Sequence, residues 1–244
     1  MKQVTGWWFA PQNKKLANGD NREIKLGITH SLKNGKIIPC KYGLHLSKRP
    51  IDALQYAQSS IIYKVVGSGV IVPHGNPVDK YACSKRKYVA GGIDVSDTLR
   101  HFARLCALDV IHLWNPPKVI IEYLNTGNEK NRPAAWDAAR AAARATEWDA
   151  ASDAARDAAW AAARATEWDA AWDAEWDAAE VMARAAASDA AEAMARAAAR
   201  AAASAAARGA ASDAAMAAAR VAACEKQNKR LTRMIRDAIK KEGE

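Results

Sequence analysis

Apolar and polar positions change their period about halfway along the chain, and each period predicts a different kind of element. In the first 130 residues, short runs rich in β-branched and aromatic residues read as strands: VTGWWFA, EIKLGITHSL, KIIPCKYGLHLS, SIIYKVVGSGVIV, DKYACSKRKYVA and KVIIEYL. Clusters such as NGDN, NGK, HGNP, GGID and NPP separate them as turns, and Gly67-Ser68-Gly69 reads as a further hairpin turn. Two helical patterns interrupt the strands. Pro50 suits an early helical position, and Ile51 and Leu54 then share a face with Ala57 at its margin. In the second helix Ser96 is a suitable N-cap, Asp97 favours the positive end of the dipole, and Leu99, Phe102, Cys106, Val110 and Leu113 form one stripe. Asp97, His101, Arg104 and His112 gather on a separate polar face. These patterns predict an α+β domain over residues 1–130, with a mostly antiparallel, twisted sheet and two helices packed on it.

From Trp136 a four-residue period takes over. The marked positions run Trp136, Arg140, Arg144, Trp148, Ser152, Arg156, Trp160, Arg164, Trp168, Trp172 and onward to Arg220, with alanine filling most of the rest. Alanine is the strongest helix former, so residues 133–223 are expected to form a long Ala-rich all-α region, with Pro133 at its start. Four residues advance an α-helix by about 400°, so the repeat drifts by about 40° per step and cannot keep one face. A long two-stranded coiled coil needs a period of about 3.5, which disfavours it here. The region is therefore expected to fold back into a hairpin or bundle, or to meet several neighbours, and a homo-oligomer through this region is one such outcome. Trp136 with Arg140, and Glu192 with Arg196, are one turn apart and support the helix locally. A passive spacer grown by expansion of a short coding unit is the plainer alternative. Residues 224–244 return to amphipathic spacing, with Leu231, Met234, Ile235 and Ile239 apolar and a net charge of +3, and predict a basic C-terminal helix.

Composition sharpens this division. Half of the 244 residues are hydrophobic, but many of these are alanine, so a large conventional core is excluded for the second half. Residues 1–130 carry 19 Lys and Arg against 9 Asp and Glu, a net +10, whereas the remainder is near neutral. That distribution points to an anionic partner for the leading domain, nucleic acid or a nucleotide, although a basic surface also serves solubility. Two Ser-Lys-Arg tripeptides concentrate the charge. Ser47, Lys48 and Arg49 precede the first helix, where free backbone N–H groups would add to the cations. Lys85, Arg86 and Lys87 lie between Tyr81 and Tyr88, the mix of cations and rings used on phosphodiester backbones and bases. His101 and Arg104 extend the candidate ligand-binding set.

The start MKQVTGWWFA lacks a signal-peptide pattern, and the Ala-rich tract is too often charged to span a bilayer, so a cytoplasmic protein without a membrane partner is expected. Cys40, Cys83, Cys106 and Cys224 form no CxxC pair and read as reduced thiols; Cys40 and His45 would join a metal site only if two further ligands converged. No metal and no cofactor are expected. There is no GxSxG elbow, Walker loop, HExxH or visible Cys/His nucleophile pair, and thus no catalytic assignment.

The run from Pro39 to Ser47, PCKYGLHLS, together with Asp79-Lys80, the SKRK run and LRHFARLCALDVIHLW, resembles an uncharacterised domain family of tailed phages and prophages whose members also carry Ala-rich tails. The resemblance implies a phage accessory protein acting in the host cytoplasm, with interference in host defence, through a host protein partner, as the role it suggests. A virion or scaffold component is an alternative. More distantly, Gly43-Leu44-His45-Leu46-Ser47 followed by Ala53 and Tyr56 is similar to the second NAD-binding motif of ADP-ribosyltransferases. That similarity implies NAD as cofactor, with His45, Tyr56 and Glu122 as the catalytic residues and His30 as the nearest occupant of the family's earlier histidine.

Overall fold

The computed structural model describes residues 2–17, 20–33, 35–145, 157–162, 189, 192–194, 196, 197 and 210–243. The chain divides into two compact units, the first formed by Met1–Ser96 with Leu231–Glu244 and the second by Asp97–Arg230.

The first unit holds an antiparallel five-stranded sheet: β1 (Gln3–Ala10), β2 (Thr29–Ser31), β3 (Leu44–Leu46), β4 (Ile61–His74) and β5 (Lys80–Asp94). The strands lie in the order β1-β4-β5-β2, and β3 pairs with the first part of β5. The sheet is the antiparallel one expected, and five of the six predicted strand runs contribute to it. Gly67-Ser68-Gly69 is not a turn between strands. It lies within β4, where Gly69 has φ 78° and the register with β5 shifts between Ser68 and Ile71. A bulge of this kind bends the strand and increases its twist.

The bend curls the sheet until β3 meets β1. Trp7 N–H donates to the Ser47 carbonyl at 2.7 Å and Ser47 N–H to the Trp7 carbonyl at 3.0 Å. Gly6 permits this approach, since a Cβ there would run into the Ser47 carbonyl oxygen and the Leu46 side chain. Inside the curl Val4, Leu44, Leu46, Val65, Cys83 and Tyr88 form the core, closed over by Leu16 and Ile24. Helix α1 (Pro50–Leu54) starts at Pro50 as predicted and buries Ala53 and Leu54.

The second unit begins at Asp97, one residue into α2 (Ser96–Asp109), whose Leu99, Phe102 and Cys106 are buried as the stripe required. Its amino end is held from outside the helix: Ser96 N–H donates to Asp94 Oδ1 at 2.8 Å. KVIIEYL, expected as a strand, forms α3 (Lys118–Thr126). Ile120, Tyr123 and Leu124 supply i, i+3, i+4 burial, and Gly127 caps the helix in the left-handed region with its N–H on the Tyr123 carbonyl, which outweighs the β-branched run. Helix α4 (Arg132–Ala145) places Arg140 over the Trp136 ring at 4.8 Å.

Residues 157–162 are helical, and α5 (Ala210–Glu242) carries the basic C-terminal segment. Most of the tetrad repeat, including Trp148, Trp168, Trp172 and Trp176, lies outside the described residues. Within the second unit Asp109 accepts from Arg230 through both oxygens, at 2.8 and 2.9 Å, and from Lys226 at 3.2 Å. No helix among the described residues is long and apolar enough to cross a membrane.

Candidate functional site

Strand alternation sorts the basic cluster of β5 into two environments. Lys85 and Lys87 project from the outer face and are exposed, whereas Arg86 and Tyr88 point into the curl and are buried. The expected triplet of cations on one surface is thereby reduced to two. Lys85 stands opposite Ser68 of β4 and Ser31 of β2, and Lys87 opposite Val66 and Thr29. Directly opposed residues share a face, so two lysines whose Cα atoms are about 6.8 Å apart along the strand are bordered by Thr29, Ser31 and Ser68. Farther along the same face Trp7 and Phe9 are buried, and Lys64 lies over the Trp7 ring at 5.0 Å.

Arg86 retains 2 % of its surface and cannot meet a ligand. Its guanidinium stacks on Trp8 at 3.6 Å, donates to the Tyr88 hydroxyl through Nε and Nη2, and donates to the His45 carbonyl at 2.7 Å. Burial lowers its pKa, and Tyr88 works against that shift. The Tyr88 hydroxyl also meets His30 Nδ1 at 2.9 Å, and burial lowers the His30 pKa.

The predicted cradle before α1 is filled by the protein itself. Ser47 is buried in the bridge to Trp7. Arg49 forms a two-pronged ion pair with buried Asp52, both contacts at 2.7 Å. Lys48 is exposed, with its ammonium 5.2 Å from the centre of the half-buried Tyr81 ring. His101 is exposed and Arg104 half-buried on α2 of the second unit.

The residues of the NAD-binding similarity belong to different units. His45 and Tyr56 belong to the first unit, while Glu122 is exposed on α3 of the second, in a helix and not at a strand end.

A second cluster joins groups far apart in sequence. Cys40 Sγ lies 3.6 Å from His74 Nε2 and accepts from Lys80 Nζ at 3.2 Å, while Cys40 N–H donates to His45 Nε2 at 3.3 Å. The Lys80 ammonium lies 3.5 Å from the centre of the Tyr56 ring, and the Tyr56 hydroxyl donates to Asp79 Oδ2 at 2.5 Å. Burial is the main force driving the His45 pKa down to about 4, helped by the cations Lys80 and Arg86; burial and the bond to Asp79 push Tyr56 up to about 12. Sequence reasoning paired Cys40 with His45 and missed His74 and Lys80, because only the β4–β5 hairpin returns them to the same place. Among the described residues no group of three or more His, Cys, Asp or Glu side chains could hold a metal ion.

No family model, no curated protein and no solved structure matches this chain.

Proposed function

We propose that the first unit binds an anionic ligand of the nucleic-acid type along the outer face of β5, with Lys85 and Lys87 as the charged contacts. The observation that carries this reading is their placement side by side, exposed and rimmed by Thr29, Ser31 and Ser68. A polyanion gains from such a strip by releasing counterions, and the hydroxyls supply hydrogen bonds to phosphate oxygens without reading sequence. Together with the phage resemblance, the reading is of a phage accessory protein acting in the host cytoplasm through binding, with interference in a host defence process as its role.

The Ala-rich region, in this reading, folds back on itself and brings copies together. Within the second unit Arg196 pairs with Asp157 at 2.9 Å and with Glu192 at 3.3 Å, and Arg220 pairs with Glu192 at 3.3 Å, so segments distant in the chain meet. These pairs support a hairpin or bundle over a single extended rod.

Titration of a fluorescent oligonucleotide over a range of salt tests the strip. The double variant Lys85→Glu/Lys87→Glu is expected to bind at least about tenfold more weakly and to lose about two from the slope of log affinity against log salt. Unchanged affinity and slope in the folded variant would remove the proposal.

A further inference from the structure

The turn over Ile38–Tyr42 carries chemistry that the cationic strip does not use. Ile38 and Tyr42 exchange backbone hydrogen bonds, both at 2.8 Å, and close the turn. Pro39 leads it, and Cys40 takes φ 66°, a value for which Gly or Asn is the usual choice. Holding a side chain there is strained. The turn presents Cys40 to solvent and brings its sulfur to the facing ends of β4 and β5.

Lys80 makes this more than an exposed thiol. It retains 5 % of its surface, and the contacts of its ammonium among the described residues are Cys40 Sγ and the Tyr56 ring. A buried cation is costly unless an anion or several acceptors surround it, and the thiolate form of Cys40 is the anion that this geometry supplies. His74 Nε2, 3.6 Å away, is placed to take the thiol proton. His45 is a positioning residue: as a neutral ring it accepts the Cys40 amide and fixes the turn.

We propose that Cys40 is a nucleophilic thiolate that reacts with low-molecular-weight disulfides, with Lys80 as its counter-ion and His74 as its proton acceptor. The Cys40 sulfur attacks one sulfur of R–S–S–R. A Cys40–S–S–R bond forms, the R–S–S–R bond breaks, and the leaving RS⁻ takes the proton held by the His74 imidazolium. The disulfide is itself the oxidant, so no further reagent enters. Acyl transfer would demand free oxyanion donors beside the sulfur. The two donors here, Lys80 and the Cys40 amide, are already engaged, whereas exchange requires only a thiolate and access. Cys83 does not resolve the mixed disulfide, since it is buried and burial pushes its thiol up to about 11. The groups facing Cys40 that shape its pH response are His45 of β3, His74 at the end of β4 and Lys80 at the start of β5. Tyr56 and Asp79 stand behind Lys80, and Lys41 is next in the chain.

The test is the rate of reaction of the full chain with dithiodipyridine as a function of pH, with Cys40→Ser identifying the Cys40 phase and mass spectrometry its site. A midpoint at least about one unit below the ordinary cysteine value of about 8.5 is expected. Lys80→Met and His74→Gln should each slow that phase about tenfold near neutral pH. An ordinary midpoint, or rates indifferent to both substitutions, would overturn the proposal. Should Lys80→Met fail to fold, His74→Gln and the ultraviolet thiolate absorbance lost on Cys40→Ser decide it. Absorbance persisting well below the ordinary midpoint sustains the thiolate, and its absence there overturns it.

Discussion

Arg86 stands between Lys85 and Lys87 in sequence, yet the two-residue repeat of a strand sends it to the opposite face. There its charge is met by the Trp8 ring, the Tyr88 hydroxyl and the His45 carbonyl. Arg86→Ala would remove the guanidinium donor from the His45 carbonyl and from the Tyr88 hydroxyl and leave a cavity beside Trp8. A loss of about 2–4 kcal/mol of unfolding free energy in urea denaturation is expected. His45 gives the pH response. Its folded pKa of about 4 lies below the ordinary 6.5, so the unfolded chain binds the proton more readily. The stability contributed by neutral His45 is complete above pH 6.5 and is lost as the pH falls toward 4. The buried ring of His30 adds in the same direction. Denaturation midpoints measured across that window should fall with acid in the native protein, and His45→Gln should flatten part of the decline.

At the scale of elements, the strands of the first unit were legible as β-rich runs separated by Gly, Asn and Pro clusters, except that GGID, read as a turn, lies inside β5, where Gly91, Ile93 and Asp94 pair with β4. The helix after Pro50 was legible from the proline and the spacing of Ile51 and Leu54. Helix α3 was not, because Val119, Ile120 and Ile121 carry strand propensity while the features that decide for helix are the Gly127 cap and burial at three- and four-residue spacing. The bulge at Ser68–Ile71 was hidden as well, since Gly67-Ser68-Gly69 has the composition of a turn and only pairing with β5 keeps it in a strand. Of the candidate site, Lys85 and Lys87 could be read directly from the sequence. The partition of Arg86 away from them, and the use of Arg49 by Asp52, depend on which face each residue occupies and what lies opposite. Gly6 is a tight packing constraint because the atom it faces belongs to the backbone. Gly6→Ala would force Cβ into the Ser47 carbonyl, and a destabilisation of about 1–3 kcal/mol is expected in thermal or chemical unfolding.

Over the whole molecule, charge is distributed unevenly: the basic excess belongs to the leading residues, while residues 131–244 together are close to neutral, the acidic Ala-rich tract being offset by the basic C-terminal segment. In the second unit the carboxylate of Asp109 is the point where α2 meets the part of α5 that bears Lys226 and Arg230. The hydrogen bond to Asp109 outweighs burial and raises the Arg230 pKa. Asp109→Ala removes a bidentate partner from a largely buried guanidinium and should cost about 2 kcal/mol. Faster amide exchange over Lys226–Arg230, with the β-sheet amides unchanged, is the expected signature in hydrogen-exchange mass spectrometry.

The clasp between Trp7 and Ser47 has a consequence for how the first unit opens. One pair of hydrogen bonds turns an otherwise linear run of strands into a ring, and it also secures the stretch that carries the Cys40 turn and the carbonyl on which Arg86 leans. Once the clasp parts, β3 is left paired with β5 alone, so loosening of the sheet, exposure of the buried guanidinium and displacement of the thiol from its ammonium are expected to go together.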